Sequence, residues 1–157
     1  MNSLAPVRVL LVEDSLDHIE LTRQYLAMQG EYHVEAAARI LDFWERVAAE
    51  DFDVILLDYN LPDGNGLDVL QGLAARNIRT PVVMITGHGD ERVAARTVQA
   101  GAADYLIKSG HYLSDLPEVI ARVLEQARLK RALEEAEARH RDLFELAREE
   151  QDDETMM

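Results

Sequence analysis

The sequence predicts an α/β fold, a doubly wound parallel sheet of five strands with helices on both faces. Three observations carry that prediction. Short apolar runs alternate with helically spaced segments five times over, which is the pattern of parallel strands joined by crossover helices. The run Val54-Ile55-Leu56-Leu57 has no polar alternation, as expected of a strand covered on both faces. At 157 residues, 48% of them hydrophobic, the chain is long enough for one domain with a substantial core and too short for two comfortable ones.

The elements follow in order. Val7–Val12 reads as the first strand, with Arg8 inside it. Ser15–Gln29 has helical spacing at Leu16, Ile19 and Leu26, and Gly30 stands where a left-handed C-cap is expected. Tyr32–Ala36 is a weak second strand, and Ile40, Leu41, Trp44, Val47 and Ala48 mark the stripe of a second helix. Asp53–Asp58 is the third strand, followed by a turn at Leu61-Pro62-Asp63-Gly64 and a helix striped by Leu67, Leu70, Leu73 and Ala74. Val82–Thr86 is the fourth strand. Val93, Ala94, Thr97 and Val98 mark the fourth helix, which Gly101 closes. Ala103–Ile107 is the fifth strand, and from Asp115 a helical pattern runs far beyond the point where the domain should close.

Composition excludes several function classes. The chain has no cysteine, so disulfides and thiolate zinc sites are ruled out. No apolar run approaches a membrane span, and MNSLAPVRV lacks a basic-then-apolar signal pattern, so a cytoplasmic location and no membrane partner are expected. Acids outnumber bases 30 to 16, and the excess is spread along the chain. A nucleic-acid surface needs a concentrated positive field, so no nucleic-acid partner is expected.

In doubly wound sheets the ligand sits beyond the C-terminal strand ends. The first strand ends at Glu13-Asp14, the third at Asp58, the fourth at Thr86 and the fifth at Lys108. Three carboxylates crowded together raise one another's pKa unless a cation intervenes. A hard divalent ion with oxygen ligands, Mg²⁺, is the natural remedy. With a fixed ammonium and a short hydroxyl beside them, these residues describe a cavity for a phosphoryl group on, or arriving at, Asp58.

Glu13-Asp14, Asp58 after its apolar run, Pro62-Asp63-Gly64, Thr86 and Lys108 together resemble the pattern of bacterial two-component response-regulator receiver domains, the CheY-like family. The resemblance covers roughly residues 7–127. It implies a flavodoxin-like sheet with strand order 2-1-3-4-5. It also implies that Asp58 is the phosphoacceptor, that Asp14 binds Mg²⁺ directly and Glu13 mainly through water, and that the Asn60 carbonyl completes the protein ligands. Lys108 would pair with the acceptor and then the phosphoryl oxygens, Thr86 would swing toward them, and Tyr105 would rotate inward behind it. The implied partner is a histidine kinase or a histidine phosphotransfer protein.

Taken singly, each residue has a plainer explanation. Asp58 could be a turn former, Glu13-Asp14 a helix cap with Asp14 or Ser15 at the N-cap, Thr86 a strand residue, Lys108 a solvated charge and Tyr105 core filling. Only the five-position constellation is specific. Competing motifs fail on particular residues. A calcium loop starting at Asp58 would have Pro62 and Val69 at ligand positions. A dinucleotide fingerprint from Gly87 would have Arg92 for its third glycine. The five histidines are scattered, with no metal-ligand spacing. A phosphatase of the haloacid dehalogenase type would want Asp, not Asn60, two positions after the nucleophile. A receiver-type interaction module that sets helix pairing within a larger sensor is the other alternative.

The sequence departs from the family pattern in two places. Ser109 follows Lys108 where the family commonly has a cis proline; a non-proline cis bond costs roughly 2.5–4 kcal/mol, so a trans bond is expected. Tyr59 and His88 occupy positions able to tune phosphoryl lifetime. Beyond the receiver (1–127), residues 128–150 form a helical extension and 151–157 an acidic, disordered tail. Leu116 to Glu150 contains no glycine, and Pro117 lies in the first turn, so the helix should be about 50 Å long. Ile120, Val123, Leu124 and Ala127 would cover the sheet. Leu129, Leu133, Ala136, His140, Leu143 and Ala147 are then spaced alternately four and three apart, a weak heptad seam suited to a parallel homodimer. A solvated, charge-paired helix accounts for the same residues. ARHRDLFELA, from Ala138 to Ala147, resembles the helical lead-in to a sensory PAS domain.

Overall fold

The structure, a computed structural model, describes residues 5–87 and 91–156, with side chains through residue 150. It divides into two compact units, residues 1–124 and 125–157.

In the first unit the strands are β1 (Val7–Val12), β2 (Tyr32–Ala37), β3 (Val54–Asp58), β4 (Asn60–Leu61), β5 (Gly64–Asn65), β6 (Val82–Thr86) and β7 (Asp104–Ile107). The helices are α1 (Leu16–Gln29), α2 (Ile40–Ala49), α3 (Gly66–Ala75) and α4 (Glu91–Gln99), and α5 (Tyr112–Met156) starts in this unit and continues into the second. The main sheet is parallel throughout, in the order β2-β1-β3-β6-β7. With the small hairpin β4–β5 set aside, this is the expected order 2-1-3-4-5.

The sheet is buried on both faces, as its unbroken apolar runs require. Side chains alternate across a strand. Val9, Leu11, Val54 and Leu56 therefore join Ile19, Leu26, Leu116 and Ile120 in one cluster, under α1 and α5. Leu10, Val12, Ile55 and Leu57 join Phe43, Val69, Leu70 and Leu73 in the other, under α2 and α3.

The helix stripes are rotated from those the spacing suggested. On α1, Leu16 is 78% exposed and Thr22 is buried in its place. On α2, Leu41 and Ala48 face outward and Phe43 is fully buried. Val69 takes the place of Ala74 on α3, and Val98 on α4 is exposed. Apolar residues adjacent in sequence leave two faces nearly equivalent by period alone, and the neighbouring layer selects between them. Gly30 has φ 171°, extended rather than left-handed; its N–H still reaches the Leu26 carbonyl at 3.2 Å and closes α1.

The turn after β3 is more built than its sequence suggested. Asn60 pairs with Asn65 and Leu61 with Gly64 in a two-residue antiparallel hairpin. Gly64 has φ 157°, and a Cβ there would lie 2.6 Å from Ile40 Cδ1, so the position admits only glycine without movement. The hairpin tip also caps a helix. Asp63 accepts from the N–H groups of Ile40 (2.8 Å) and Leu41 (3.1 Å), whereas the α2 N-cap residue, Arg39, makes no side-chain cap bond.

The α5 helix spans 45 residues. It continues through Met156, so the disordered tail expected at 151–157 is corrected to helix as far as the description extends: no glycine or proline interrupts Gln151–Met156. There are no cis peptide bonds among the described residues, in keeping with a trans Lys108–Ser109 bond. Among the described residues no helix is long and apolar enough to cross a membrane.

Candidate functional site

Register brings the strand ends to one edge. Val12 lies opposite Leu57, Asp58 opposite Ile85 and Thr86 opposite Ile107. The next backbone bonds continue the ladders. Glu13 N–H donates to Ala37 O at 3.0 Å, Tyr59 N–H to Ile85 O at 2.9 Å and Lys108 N–H to Thr86 O at 2.7 Å. Glu13, Asp58, Thr86 and Lys108 are therefore held by the main chain, with their side chains beyond the sheet.

At this edge Lys108 Nζ donates to Glu13 Oε1 at 2.6 Å and to Asp58 Oδ2 at 3.1 Å. Both carboxylates are shielded, with side chains 6% and 12% exposed. Carboxylate oxygens of Glu13, Asp14 and Asp58 lie within 4.8 Å of one another, and Asp14 is the exposed member. The set is all oxygen and mostly anionic, which fits a hard divalent cation.

The two buried carboxylates are not equivalent. Burial works to raise Glu13, but the Lys108 hydrogen bond and the Ser15 N–H at 3.0 Å bring its pKa below the ordinary value. Burial pushes Asp58 above its ordinary value; Lys108 pulls it down, and the Glu13 charge raises it again. The shorter Lys108 bond goes to Glu13, which agrees with these directions. Burial disfavours the Lys108 ammonium, but the bond to Glu13 and the charge of Asp58 outweigh it, so its pKa is raised.

The other expected residues are distributed as follows. The Asn60 N–H donates to Asp58 Oδ1 at 3.2 Å, which orients the Asp58 carboxylate. Thr86 is fully buried, and its Oγ1 has no hydrogen-bond partner. Tyr105 is 39% exposed on β7. Tyr59 packs in part against the α2–α3 core cluster. His88 lies outside the described residues. In the second unit Leu129, Leu133, Ala136, His140, Leu143 and Ala147 are all exposed.

Two residues were missed in sequence. His18 Nδ1 lies 3.1 Å from Lys108 Nζ and 3.5 Å from Glu13 Oε1. Ser15 is the N-cap of α1, its Oγ accepting from His18 N–H at 3.3 Å, so His18 is in the first turn. Helix side chains tilt toward the N-terminus, and this one therefore leans back over the strand edge. The available signal was the cap spacing Ser15-x-x-His18, and not metal-ligand spacing among histidines. Asp63 was seen only as part of the turn, although its carboxylate caps α2.

Residues 9–121 match the family described as response regulator receiver domain. Response regulator protein PilR of Pseudomonas aeruginosa is 37% identical over 117 residues, covering 74% of this chain and 26% of PilR. Cell cycle transcriptional regulator CtrA of Caulobacter vibrioides is 34% identical over 119 residues, 74% of this chain and 48% of CtrA. The chain thus spans about a quarter to a half of the curated relatives it matches. A CheY-like response regulator receiver domain protein from Methanospirillum hungatei superposes with a TM-score of 0.71 at 28% identity, covering 80% of this chain and 99% of that one.

Proposed function

This chain belongs to the response regulator receiver domain family, and on that premise we propose that Asp58 is its phosphoacceptor, taking a phosphoryl group from a phosphohistidine on a histidine kinase or histidine phosphotransfer protein. The observation that carries the reading is the shared ammonium. Lys108 bridges Glu13 and Asp58 at the end of a buried strand, with the unpartnered Thr86 hydroxyl on the neighbouring strand end.

In the transfer, an Asp58 oxygen forms a bond to phosphorus while the P–N bond of the donor breaks and returns its electron pair to the imidazole. Asp58 suits this role because it stands at the end of a buried strand and the Asn60 N–H holds its second oxygen. Glu13, Asp14 and Asp58, with the Asn60 carbonyl, would hold Mg²⁺, which when bound offsets negative charge on the acceptor and the phosphoryl oxygens. Lys108 then presents an N–H to the phosphoryl oxygens, and Thr86 supplies the hydroxyl donor that now lacks a partner. Tyr105, partly exposed, turns inward behind Thr86 and changes the surface seen by a protein partner. Tyr59 and His88 are the proposed modulators of phosphoryl lifetime. The chemistry in this reading is limited to self-phosphorylation and dephosphorylation at Asp58.

Intact-mass analysis after incubation with acetyl phosphate and Mg²⁺ tests the assignment. A single phosphoryl adduct is expected, absent from Asp58→Asn; an adduct on that variant would reject it.

We further propose the division into a receiver (1–127) and a helical extension that pairs two copies in parallel through Leu129, Leu133, Ala136, His140, Leu143 and Ala147. The support is the exposure of Leu129 (52%), Leu133 (60%) and Leu143 (67%) at heptad spacing.

A further inference from the structure

An ammonium group has three N–H donors, and Lys108 has three acceptors within reach: Glu13 Oε1, Asp58 Oδ2 and His18 Nδ1, at 2.6, 3.1 and 3.1 Å. The proposed phosphoryl chemistry accounts for the first two and has no use for the third. We propose that His18 is a positioning residue of this site: by accepting the third N–H of Lys108 it fixes the direction in which the ammonium meets the phosphoryl group on Asp58. The proposal rests on the reading of Asp58 as phosphoacceptor.

A lysine ammonium is a compact point charge on a flexible four-carbon stem, with no direction of its own. Held by two carboxylates alone, it can pivot about the line joining them. A third acceptor off that line removes the pivot. When Asp58 Oδ2 gives way to a phosphoryl oxygen, Glu13 and His18 keep two of the three donors in place, and the released N–H points where Asp58 was.

A neutral acceptor suits this position. A third carboxylate would compete with Asp58 and the phosphoryl group for the positive charge, whereas an imidazole nitrogen orients the ammonium without adding charge. Accepting at Nδ1 requires the tautomer with its proton on Nε2. In that tautomer the 3.5 Å approach of Nδ1 to Glu13 Oε1 brings two acceptors to one ammonium.

The helix fixes His18 independently of Lys108. Ser15 Oγ accepts its N–H, and one turn later the buried Thr22 hydroxyl donates to its carbonyl at 2.7 Å. The backbone of His18 is therefore anchored to α1, which sets the origin of a side chain that reaches a residue 90 positions away.

The test uses the full chain as wild type, His18→Leu and His18→Asn; the Asn side-chain oxygen falls close to the place of Nδ1. The chain has only two lysines, and Lys130 is exposed, so a ¹H–¹⁵N spectrum of the ammonium groups, recorded without Mg²⁺ or phosphoryl donor, reports Lys108 against an internal control. A protected Lys108 signal is expected in wild type, lost in His18→Leu and regained in His18→Asn. Labelling by acetyl phosphate with Mg²⁺ should slow about tenfold in His18→Leu, the worth of one bond from a charged donor after water takes its share, and return to within about twofold in His18→Asn. A His18→Leu chain that keeps the signal and the rate overturns the proposal. So does an altered signal with equal rates in all three, or an Asn variant as impaired as Leu. If wild type itself takes no label, the Asp58 reading fails and the positioning role with it, while the spectrum still reports whether His18 holds Lys108.

Discussion

Both ends of α5 are rich in leucine and alanine, yet they meet opposite fates. In the first unit Leu116, Val119, Ile120 and Val123 are at most 6% exposed, packed in the cluster that covers one face of the sheet. In the second unit Leu129, Leu133, Leu143, Phe144 and Leu146 are each at least 52% exposed. Helix propensity is ample in both stretches, so it does not distinguish them. The difference is whether a second layer exists to take the apolar side chains from water. Burial of a leucine is worth about 1.5–3 kcal/mol and is realised only against a partner. In the proposed function the same contrast separates two roles: the chemistry is assigned to the buried strand ends, and pairing to the exposed stretch of α5.

The largest expected effect tests whether the chemistry resides wholly in the first unit. Asp58→Asn should abolish Mg²⁺-dependent labelling, while a chain truncated after Lys130 should label like the full chain; loss of labelling on truncation would break the separation. Next in size is the core of the first unit. Leu116→Ala should cost about 3 kcal/mol in urea unfolding, because it removes a fully buried side chain and leaves a cavity. Leu133→Ala on the exposed stretch should stay within about 0.5 kcal/mol for the monomer. Equal costs would mean that Leu133 is covered in solution, and light scattering would then show a dimer for the full chain and a monomer for the truncation. Monomers in both cases, with and without phosphorylation, would reject pairing through the helix.

A smaller effect concerns Asp14, the exposed member of the carboxylate cluster. Asp14→Ala should raise the apparent Kd for Mg²⁺ about tenfold, since a hard ion loses a charged oxygen ligand. An unchanged titration would remove it from the metal set.

The smallest effect belongs to Asp63, exposed like the leucines of the extension but with two backbone N–H groups to satisfy. Asp63→Ala should cost about 1 kcal/mol, as the loss of an N-cap does. The Ile40 N–H is the main cause that holds its carboxyl below the ordinary Asp value. A lowered folded-state pKa contributes stability that is complete above the unfolded value, about pH 4, and lost as pH falls through the folded one. Wild type and Asp63→Ala should therefore converge in stability as pH falls below about 4 and through the lowered folded-state pKa, and differ most at neutral pH. A constant gap at all pH values would reject the charged cap.

The sequence by itself determined the sheet and the residues at its edge. A parallel strand buried on both faces must be an unbroken apolar run, and the first polar residue after it necessarily stands at the sheet edge. Glu13, Asp58, Thr86 and Lys108 could thus be placed together from one-dimensional pattern alone. Tertiary structure decided everything that depends on two elements meeting. It chose Thr22 over Leu16 and Phe43 over Leu41 for the core, because helical period leaves adjacent faces nearly equivalent until a layer packs against one of them. It let Asp63 cap a helix that begins 23 residues earlier, and it brought His18 to Lys108 across 90 residues. Such contacts leave no periodic trace in the chain, because their spacing is set by the register of strands and by the tilt of a helix over the sheet, not by any repeat within one segment.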